Sequence, residues 1–295
     1  MRLLLTGVNG QVGWELQRSL ATLGEVIPAD RNAMDLGNAD SIRRYIRDCR
    51  PDLIVNPAAY TAVDKAESEP ELAMAVNAVA PGVMAEEAGT LGIPMVHFST
   101  DYVFDGTKAT AYVETDVTHP QNVYGKTKLA GEQAVAAAGI PHLIFRTSWV
   151  YGMRGRNFLL TMQRLARERD ELKVVNDQFG APTWSRLIAE ASTSSIARWL
   201  GNVDQVGCSG VYHLSCSERT SWHGFTAAIL SHMRKSGETV ARLNAIPAAA
   251  YPTPAVRPQN SILSNAKLAQ VFGVNLPDWE MALSMCLDSA EDLPI

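Results

Sequence analysis

The sequence predicts an α/β protein: a doubly wound parallel sheet in the first half of the chain, then a smaller C-terminal lobe. Three observations predict it. Up to about Trp149, short continuous apolar runs alternate with longer amphipathic stretches, and strands buried on both faces read as continuous runs rather than as alternation. The amphipathic stretches have the length of crossover helices, which makes the pattern one of βαβ units. Past Trp149 the rhythm becomes irregular, with loops rich in Pro, Gly and Asn that favour turns over regular elements.

Taken in order, Arg2–Thr6 reads as the first strand, because its apolar core Leu3 to Leu5 is far too short for the h-region of a signal peptide. Further strands are expected at Glu25–Ala29, Leu53–Asn56, Met95–Phe98 and His142–Arg146. Helices are expected between them at Gln11–Ala21, Ala39–Asp48, Glu71–Thr90 and Val123–Ala138. In the second part Phe158–Arg169 and Leu187–Trp199 read as helices. Asp177–Thr183 and Ala250–Asn260, the latter with Pro252, Pro254 and Pro258, read as loops.

The bulk numbers agree with a folded enzyme-sized body. The chain has 295 residues, 46% hydrophobic and 19% charged, which is enough apolar material for a sizeable core. With 26 Lys plus Arg against 31 Asp plus Glu the net charge is −5, and the signs are interspersed. No concentrated basic face for nucleic acid is expected from that balance. No stretch approaches the ~18 uninterrupted apolar residues of a membrane-spanning helix. Cys49, Cys208, Cys216 and Cys286 are scattered without a CxxC pair, so they read as reduced structural thiols of a cytoplasmic protein. The six histidines are dispersed as well and form no ligand cluster, so no metal is expected from them.

Chemistry first shows at the junction of the first strand and helix. Thr6 runs into Gly7-Val8-Asn9-Gly10-Gln11-Val12-Gly13, a Gly-x-x-Gly-x-x-Gly spacing. Glycines there permit a tight turn, close approach of backbone to a pyrophosphate, and tight packing of helix on strand. The helix that follows offers free N–H groups and the positive end of its dipole. This is a Rossmann-like, dinucleotide-binding arrangement, and it divides the chain into a cofactor-binding part (1–150) and a substrate-binding part (151–295) with some return to the first. The second strand ends at Ala29-Asp30-Arg31. An acidic residue about 20 positions after the glycines bonds ribose hydroxyls, whereas Arg31 suits a 2′-phosphate, so NADH and NADPH both stay open. Asp35 and Leu36 read equally as adenine-pocket lining or as a surface loop.

Tyr124 and Lys128 stand at i and i+4 and so share a helical face. A phenol titrates near ~10 when unperturbed. A neighbouring ammonium is expected to lower that value, and the same lysine can hold a nicotinamide ribose. Upstream, the fourth strand runs into Ser99-Thr100-Asp101, where the Thr100 hydroxyl is placed to polarise a carbonyl beside the tyrosine. Glycine loop, strand-end hydroxyl and Tyr-x-x-x-Lys in that order point to hydride delivery onto a carbonyl.

These features resemble the extended short-chain dehydrogenase/reductase superfamily. The segments Asn56–Glu67, Ser99–Gly106, Asn122–Glu132, Phe145–Tyr151, Gln178–Thr183 and Arg257–Ser261 narrow the resemblance to the dTDP-4-dehydrorhamnose reductase family. It covers nearly the whole chain. The resemblance implies reduction of the 4-keto group of dTDP-4-dehydro-L-rhamnose by NADPH or NADH, with a proton from Tyr124, Lys128 on the ribose and Thr100 on the ketone. It implies cofactor contacts from Gly10, Gln11, Val12, Asp30, Asp35, Leu36, Ala59, Tyr60 and Thr61, and sugar contacts from Asp101 and Trp149. Asn157 and Arg257 are its candidates for the nucleotide diphosphate.

Some members of the family dimerise around a magnesium ion held by glutamates, so a homodimer is one expectation. Glu15 matches one such ligand, but Arg186 stands where another belongs, and a cation there opposes metal binding. Two rivals remain. A nucleotide-sugar dehydratase of the superfamily has an Asp-Glu pair after the threonine, whereas here Asp101 precedes Tyr102; an epimerase differs by recycling its cofactor without net consumption. A non-catalytic subunit like the regulatory subunit of methionine adenosyltransferase shares the fold, against which Thr100, Tyr124 and Lys128 are all intact.

Overall fold

The computed structural model describes residues 1–291. The chain first winds through β1 (Arg2–Thr6), α1 (Gln11–Ser19), β2 (Glu25–Ala29), α2 (Ala39–Cys49) and β3 (Leu53–Asn56). A broken helical run follows: α3 (Val63–Ala66), α4 (Pro70–Met74), a π-helical stretch at Ala75–Val79, and α5 (Ala80–Leu91). Then come β4 (Met95–Thr100), α6 (Val123–Ala137) and β5 (His142–Thr147). The second half begins with β6 (Val150–Tyr151), α7 (Phe158–Glu168), β7 (Glu171–Val175), β8 (Phe179–Gly180), β9 (Thr183–Trp184) and α8 (Ser185–Leu200). It ends with β10 (Gly210–His213), β11 (Thr220–Ser221), α9 (Trp222–Lys235), β12 (Arg242–Ile246), α10 (Ala266–Phe272) and α11 (Trp279–Glu291).

Six strands form one parallel sheet in the order β10-β5-β4-β3-β1-β2. The fold class expected from the continuous apolar runs is therefore the one observed. Successive residues of β1 face opposite layers. Leu3 and Leu5 pack with Leu16 of α1 and Ile188 and Ile196 of α8, while Leu4 packs with Ile42 of α2 and Met84 and Ala88 of α5. Because β2 lies on one side of β1 and β3 on the other, the connections part between β1 and β3. A crevice opens there at the carboxyl ends of the strands.

The second half serves two bodies. It has its own core, in which Tyr151, Leu159, Trp184, Phe225, Ile229 and Trp279 pack together. It also returns to the sheet: β10 pairs with β5, and α8 covers α1. The sequence reading placed no strand beyond residue 150. The short strands β6 to β12 carry two to five residues each, too few to declare a period.

The expected single helix Glu71–Thr90 is interrupted, and the reason is local. Pro81 has no N–H to give to the carbonyl of Asn77, and the helix widens into its π-helical turn just before it. The freed carbonyl packs against α6 at Gly131, where any Cβ would collide with it. The Asn77 side chain meanwhile bonds Tyr60 N at 2.8 Å, Tyr60 O at 3.1 Å and Thr127 Oγ1 at 3.1 Å.

Helix α6 is clamped to the sheet by charge as well as by close packing. Arg146 of β5 grips Glu132 through two bonds, 2.9 and 2.7 Å long, and both side chains are about 4% exposed. Breaking a buried pair on one side leaves a stranded charge. Glu132→Leu alone is predicted to lower unfolding free energy by about 3–5 kcal/mol, read as a fall in the urea midpoint. The double variant Glu132→Leu, Arg146→Met should recover most of that loss. Equal losses in the single and double variants would show that the charge pair is not the source.

Candidate active site

A cleft of about 1200 Å³ lies over the carboxyl ends of β1 to β5 and reaches the second lobe. At one end is the glycine loop. Gly7 has φ +60°, and a Cβ on it would stand 2.9 Å from Ala58 Cα, so the turn requires glycine. A Cβ on Gly13 would collide with the Gly7 carbonyl, so glycine there lets α1 start hard against the loop. Gly10 caps α1 with extended backbone, no side-chain cap and no acidic residue in the first turn. The first N–H groups of α1, which no intrahelical carbonyl can reach, stand at the cleft wall, an anion site in backbone form.

Gly7, Gly10, Gln11, Val12 and Gly13 all line the cleft, as do Asp30, Arg31, Asp35, Leu36, Ala59 and Thr61. Asp30 Oδ1 also accepts from Asn32 N and Ala33 N at 2.9 Å each, and Asp35 Oδ1 accepts from Gly37 N at 2.9 Å. Both carboxylates therefore shape the turns that carry them.

Three residues named from sequence are not on the wall of the cleft. The Tyr60 hydroxyl donates to Glu69 at 2.6 Å. Asn157 caps α7 through Leu160 N and donates to Gln11 Oε1 at 3.0 Å, tying the preceding loop to α1. Arg257 holds Asp64 at 3.2 and 2.9 Å. In the same region the structure puts Arg156 on the wall and lays Arg154 over the Trp14 ring at 3.4 Å. Nothing in the irregular stretch 152–157 marks Arg156 as facing inward.

Tyr124 sits in the first turn of α6, which Asn122 caps by accepting from Gly125 N at 2.8 Å. A Cβ on Gly125 would collide with the Tyr102 carbonyl, so this turn rests directly on the 3-10 turn that follows β4. The Tyr124 hydroxyl is buried, with Thr100 as its hydrogen-bond partner. Burial pushes the phenol up to about 12 against the help of that bond, and the nearby Asp101 charge adds to the rise. The expectation that Lys128 lowers the phenol is not met. Lys128 Nζ turns the other way, donating to Phe98 O at 2.6 Å and lying 3.3 Å from His97 Nε2. Burial brings Lys128 itself down to about 8, with Glu132 opposing.

Thr100 and Asp101 both line the cleft. Thr100 Oγ1 bonds Asp101 Oδ1 at 2.9 Å, and Tyr102 N donates to Thr100 Oγ1 at 3.2 Å. A carboxylate only accepts, so the single Thr100 proton goes to Asp101. Ser148 Oγ donates to the other Asp101 oxygen at 3.1 Å. Burial pushes the Asp101 carboxyl up to about 6, held back by its bonds from Thr100, Ser261 and Ser148.

The far wall is aromatic. Trp149, at φ +47°, stacks on Trp222 with ring centroids 3.4 Å apart and planes 5° from parallel. Phe158 lies against the same indole at 4.5 Å. Trp222 is a cleft residue that sequence reading missed; it begins α9, some seventy residues from its partner. Outside the cleft, Arg186 Nε meets Glu15 Oε2 at 3.4 Å, so the cation foreseen beside Glu15 is paired with it.

The family model described as RmlD substrate binding domain matches residues 1–291. The dTDP-4-dehydrorhamnose reductase of Burkholderia thailandensis is 51% identical over 292 residues, covering 97% of this chain and 98% of the relative. Among solved structures, a dTDP-4-dehydrorhamnose reductase from Clostridium acetobutylicum superposes with a TM-score of 0.91 at 36% identity, over 99% of this chain and 100% of that one. The Bacillus anthracis dTDP-4-dehydrorhamnose reductase in complex with NADP gives 0.89 at 33% identity, over 98% and 99%. With match and coverage extending over nearly its whole length, the chain belongs to the family of the RmlD substrate binding domain, that of the dTDP-4-dehydrorhamnose reductases.

Proposed function

We propose that this chain reduces the 4-keto group of dTDP-4-dehydro-L-rhamnose to give dTDP-L-rhamnose, with NADPH or NADH as reductant. One observation carries the reading: a single cleft joins a helix N-terminus open to a pyrophosphate with a half-buried tyrosine, Tyr124, that has Thr100 as partner and Lys128 one turn further on. The relatives' names give the substrate, and NADP in the Bacillus anthracis relative supports the phosphorylated cofactor. Arg31 and Arg156 on the cleft wall favour the same choice, since each can face the additional phosphate. Four free cysteines suit a reducing cytoplasm.

A nicotinamide cofactor held in this cleft would supply the hydride for the carbonyl carbon. The protein supplies the rest. Backbone N–H groups at the start of α1 hold the pyrophosphate against the glycine cradle, where no Cβ intrudes. Tyr124 gives its proton to the oxygen that becomes negative. A phenol held near 12 by burial is fully protonated at neutral pH, the state that reduction needs at the start. Lys128 offers positive charge to the cofactor ribose. Thr100 acts on the phenol, because its own proton is engaged by Asp101. Trp149, backed by Trp222, offers the sugar a flat apolar wall.

The purified chain, given NADPH or NADH with freshly generated dTDP-4-dehydro-L-rhamnose, is expected to consume reduced cofactor stoichiometrically with dTDP-L-rhamnose formed. No consumption with either cofactor, where a control reductase turns over, would overturn the reading. Tyr124→Phe should bind cofactor normally and lose about 10²–10⁴-fold in kcat; wild-type turnover would remove Tyr124 as proton donor. In the wild type, kcat/KM should fall as pH rises past about 8, where Lys128 loses its charge.

Asp101 should show itself in stability. Its folded value of about 6 lies above the ordinary aspartate value. The stability it contributes is thus present below the lower value and lost as pH rises through the higher one. Asp101→Asn removes that pH dependence, so the Tm difference, variant minus wild type, should grow in the variant's favour between pH ~4 and ~7. A difference constant across that range would refute the buried charge as its cause.

A further inference from the structure

His97 is a fully buried residue of β4 that the reaction as described does not use. Its ring sits between two elements of the site. Nε2 lies 3.3 Å from Lys128 Nζ, and Nδ1 lies 3.1 Å from Asn56 Nδ2 at the end of β3. Asn56 Oδ1 in turn accepts from Thr6 Oγ1, at the end of β1, at 2.6 Å. Both ends of this chain of polar groups, Lys128 and Thr6, line the cleft. Everything between them is buried, so each hydrogen bond has to be made within the protein.

Donor accounting restricts what the imidazole can do. An ammonium has only donors to offer, and a neutral imidazole has one N–H and one bare nitrogen. While Lys128 is charged, Nε2 is the bare nitrogen and accepts from it. Nδ1 then carries the hydrogen and needs an oxygen, which the Asn56 amide supplies by turning its Oδ1 to His97 and its NH₂ to Thr6. The orientation in the structure, with Asn56 Nδ2 toward His97 and Oδ1 toward Thr6, is the one that a neutral Lys128 satisfies: Asn56 Nδ2 donates to Nδ1, and Nε2–H donates to the amine. The two orientations exchange atoms of nearly equal size, so the switch needs no repacking. His97 stays uncharged in both, because burial and the Lys128 charge hold its titration well below the ordinary histidine value.

We propose that His97 is a positioning residue for the reduction: its neutral imidazole accepts a hydrogen bond from the Lys128 ammonium, keeps that charge at the cleft, and takes its tautomer from Asn56. This rests on the reductase reading of the site. The other groups facing Lys128 are Tyr124 and Glu132 from α6 and the Phe98 carbonyl from β4, while Asp101, in the turn after β4, acts on Tyr124. Of these only Glu132 holds an opposing charge against the lysine, and it is already gripped by Arg146. His97 is thus the side-chain acceptor that Lys128 itself touches.

Two variants separate positioning from packing. In His97→Gln the side-chain oxygen can stand near Nε2 and accept from Lys128; in His97→Leu the volume is similar but no acceptor remains. Each is to be compared with the wild type in two readouts: NADPH affinity against pH, followed by quenching of tryptophan fluorescence, and kcat/KM against pH. Without its acceptor the ammonium is less stable, so His97→Leu should move the high-pH midpoint of both curves down by about one unit and weaken NADPH about tenfold at neutral pH. His97→Gln should keep both midpoints near the wild-type position. Unmoved midpoints in His97→Leu, or equal displacement in the two variants, would overturn the proposal. The binding curve needs no turnover, so a wild type that binds NADPH but fails to reduce the keto-sugar would count against the reductase reading alone.

Discussion

Helix α6 meets the turn after β4 and the π-helical stretch Ala75–Val79 at distances that only glycine permits, and the site depends on that approach. Gly125 rests on the Tyr102 carbonyl and Gly131 on the Asn77 carbonyl, so neither end of the contact tolerates a Cβ. Between and beyond them, the buried Glu132–Arg146 pair fixes the helix to β5. This clamp sets where Tyr124 and Lys128 stand relative to Thr100. A side chain at either glycine would lift the helix, and with it the phenol, away from the strand ends. Positioning at that precision is what a proton donor needs.

Burial then sorts the ionisable groups. Removal from water disfavours charge whatever its sign. The same cause therefore raises Tyr124 to about 12 and Asp101 to about 6, and lowers Lys128 to about 8. The result is a neutral acid beside an ionised carboxylate and a lysine that is only just charged at neutral pH. The hydroxyls of Thr100 and Ser148 keep Asp101 ionised at a tolerable cost, and His97 and Phe98 O do the same for Lys128. The polar groups under α6 thus form a connected set, and a lone substitution in it leaves a partner stranded.

The second lobe closes the other side of the cleft with apolar surface. Trp149 leaves β5 in a left-handed conformation and stacks on Trp222, and Gly180 leaves room for its ring. Loop 152–156, tied to Gln11 through Asn157, brings Arg156 over the cofactor end. One lobe therefore reaches both ends of the cleft, and the return of β10 and α8 to the sheet joins it to the first.

The sequence by itself determined the doubly wound sheet, the glycine loop and the i, i+4 pair, because each is written in local periodicity or spacing. Short continuous apolar runs set between amphipathic stretches of helix length read as strands covered on both faces, and glycines at a strand-to-helix junction need no distant partner to be read. The tertiary structure alone decided the rest. Spacing put Lys128 beside Tyr124, yet its ammonium points to Phe98 O and His97, since only the fold shows where a buried charge finds acceptors. Trp222, Arg156 and His97 carried no signal, because they meet the site across loops or strands far apart in the chain. Tyr60, Asn157 and Arg257 lie off the cleft wall for the same reason, each held by a partner, Glu69, Gln11 or Asp64, that spacing could not reveal. Short-range pattern specifies elements, whereas hydrogen-bond partners and burial belong to contacts between elements, which exist only once the chain has folded.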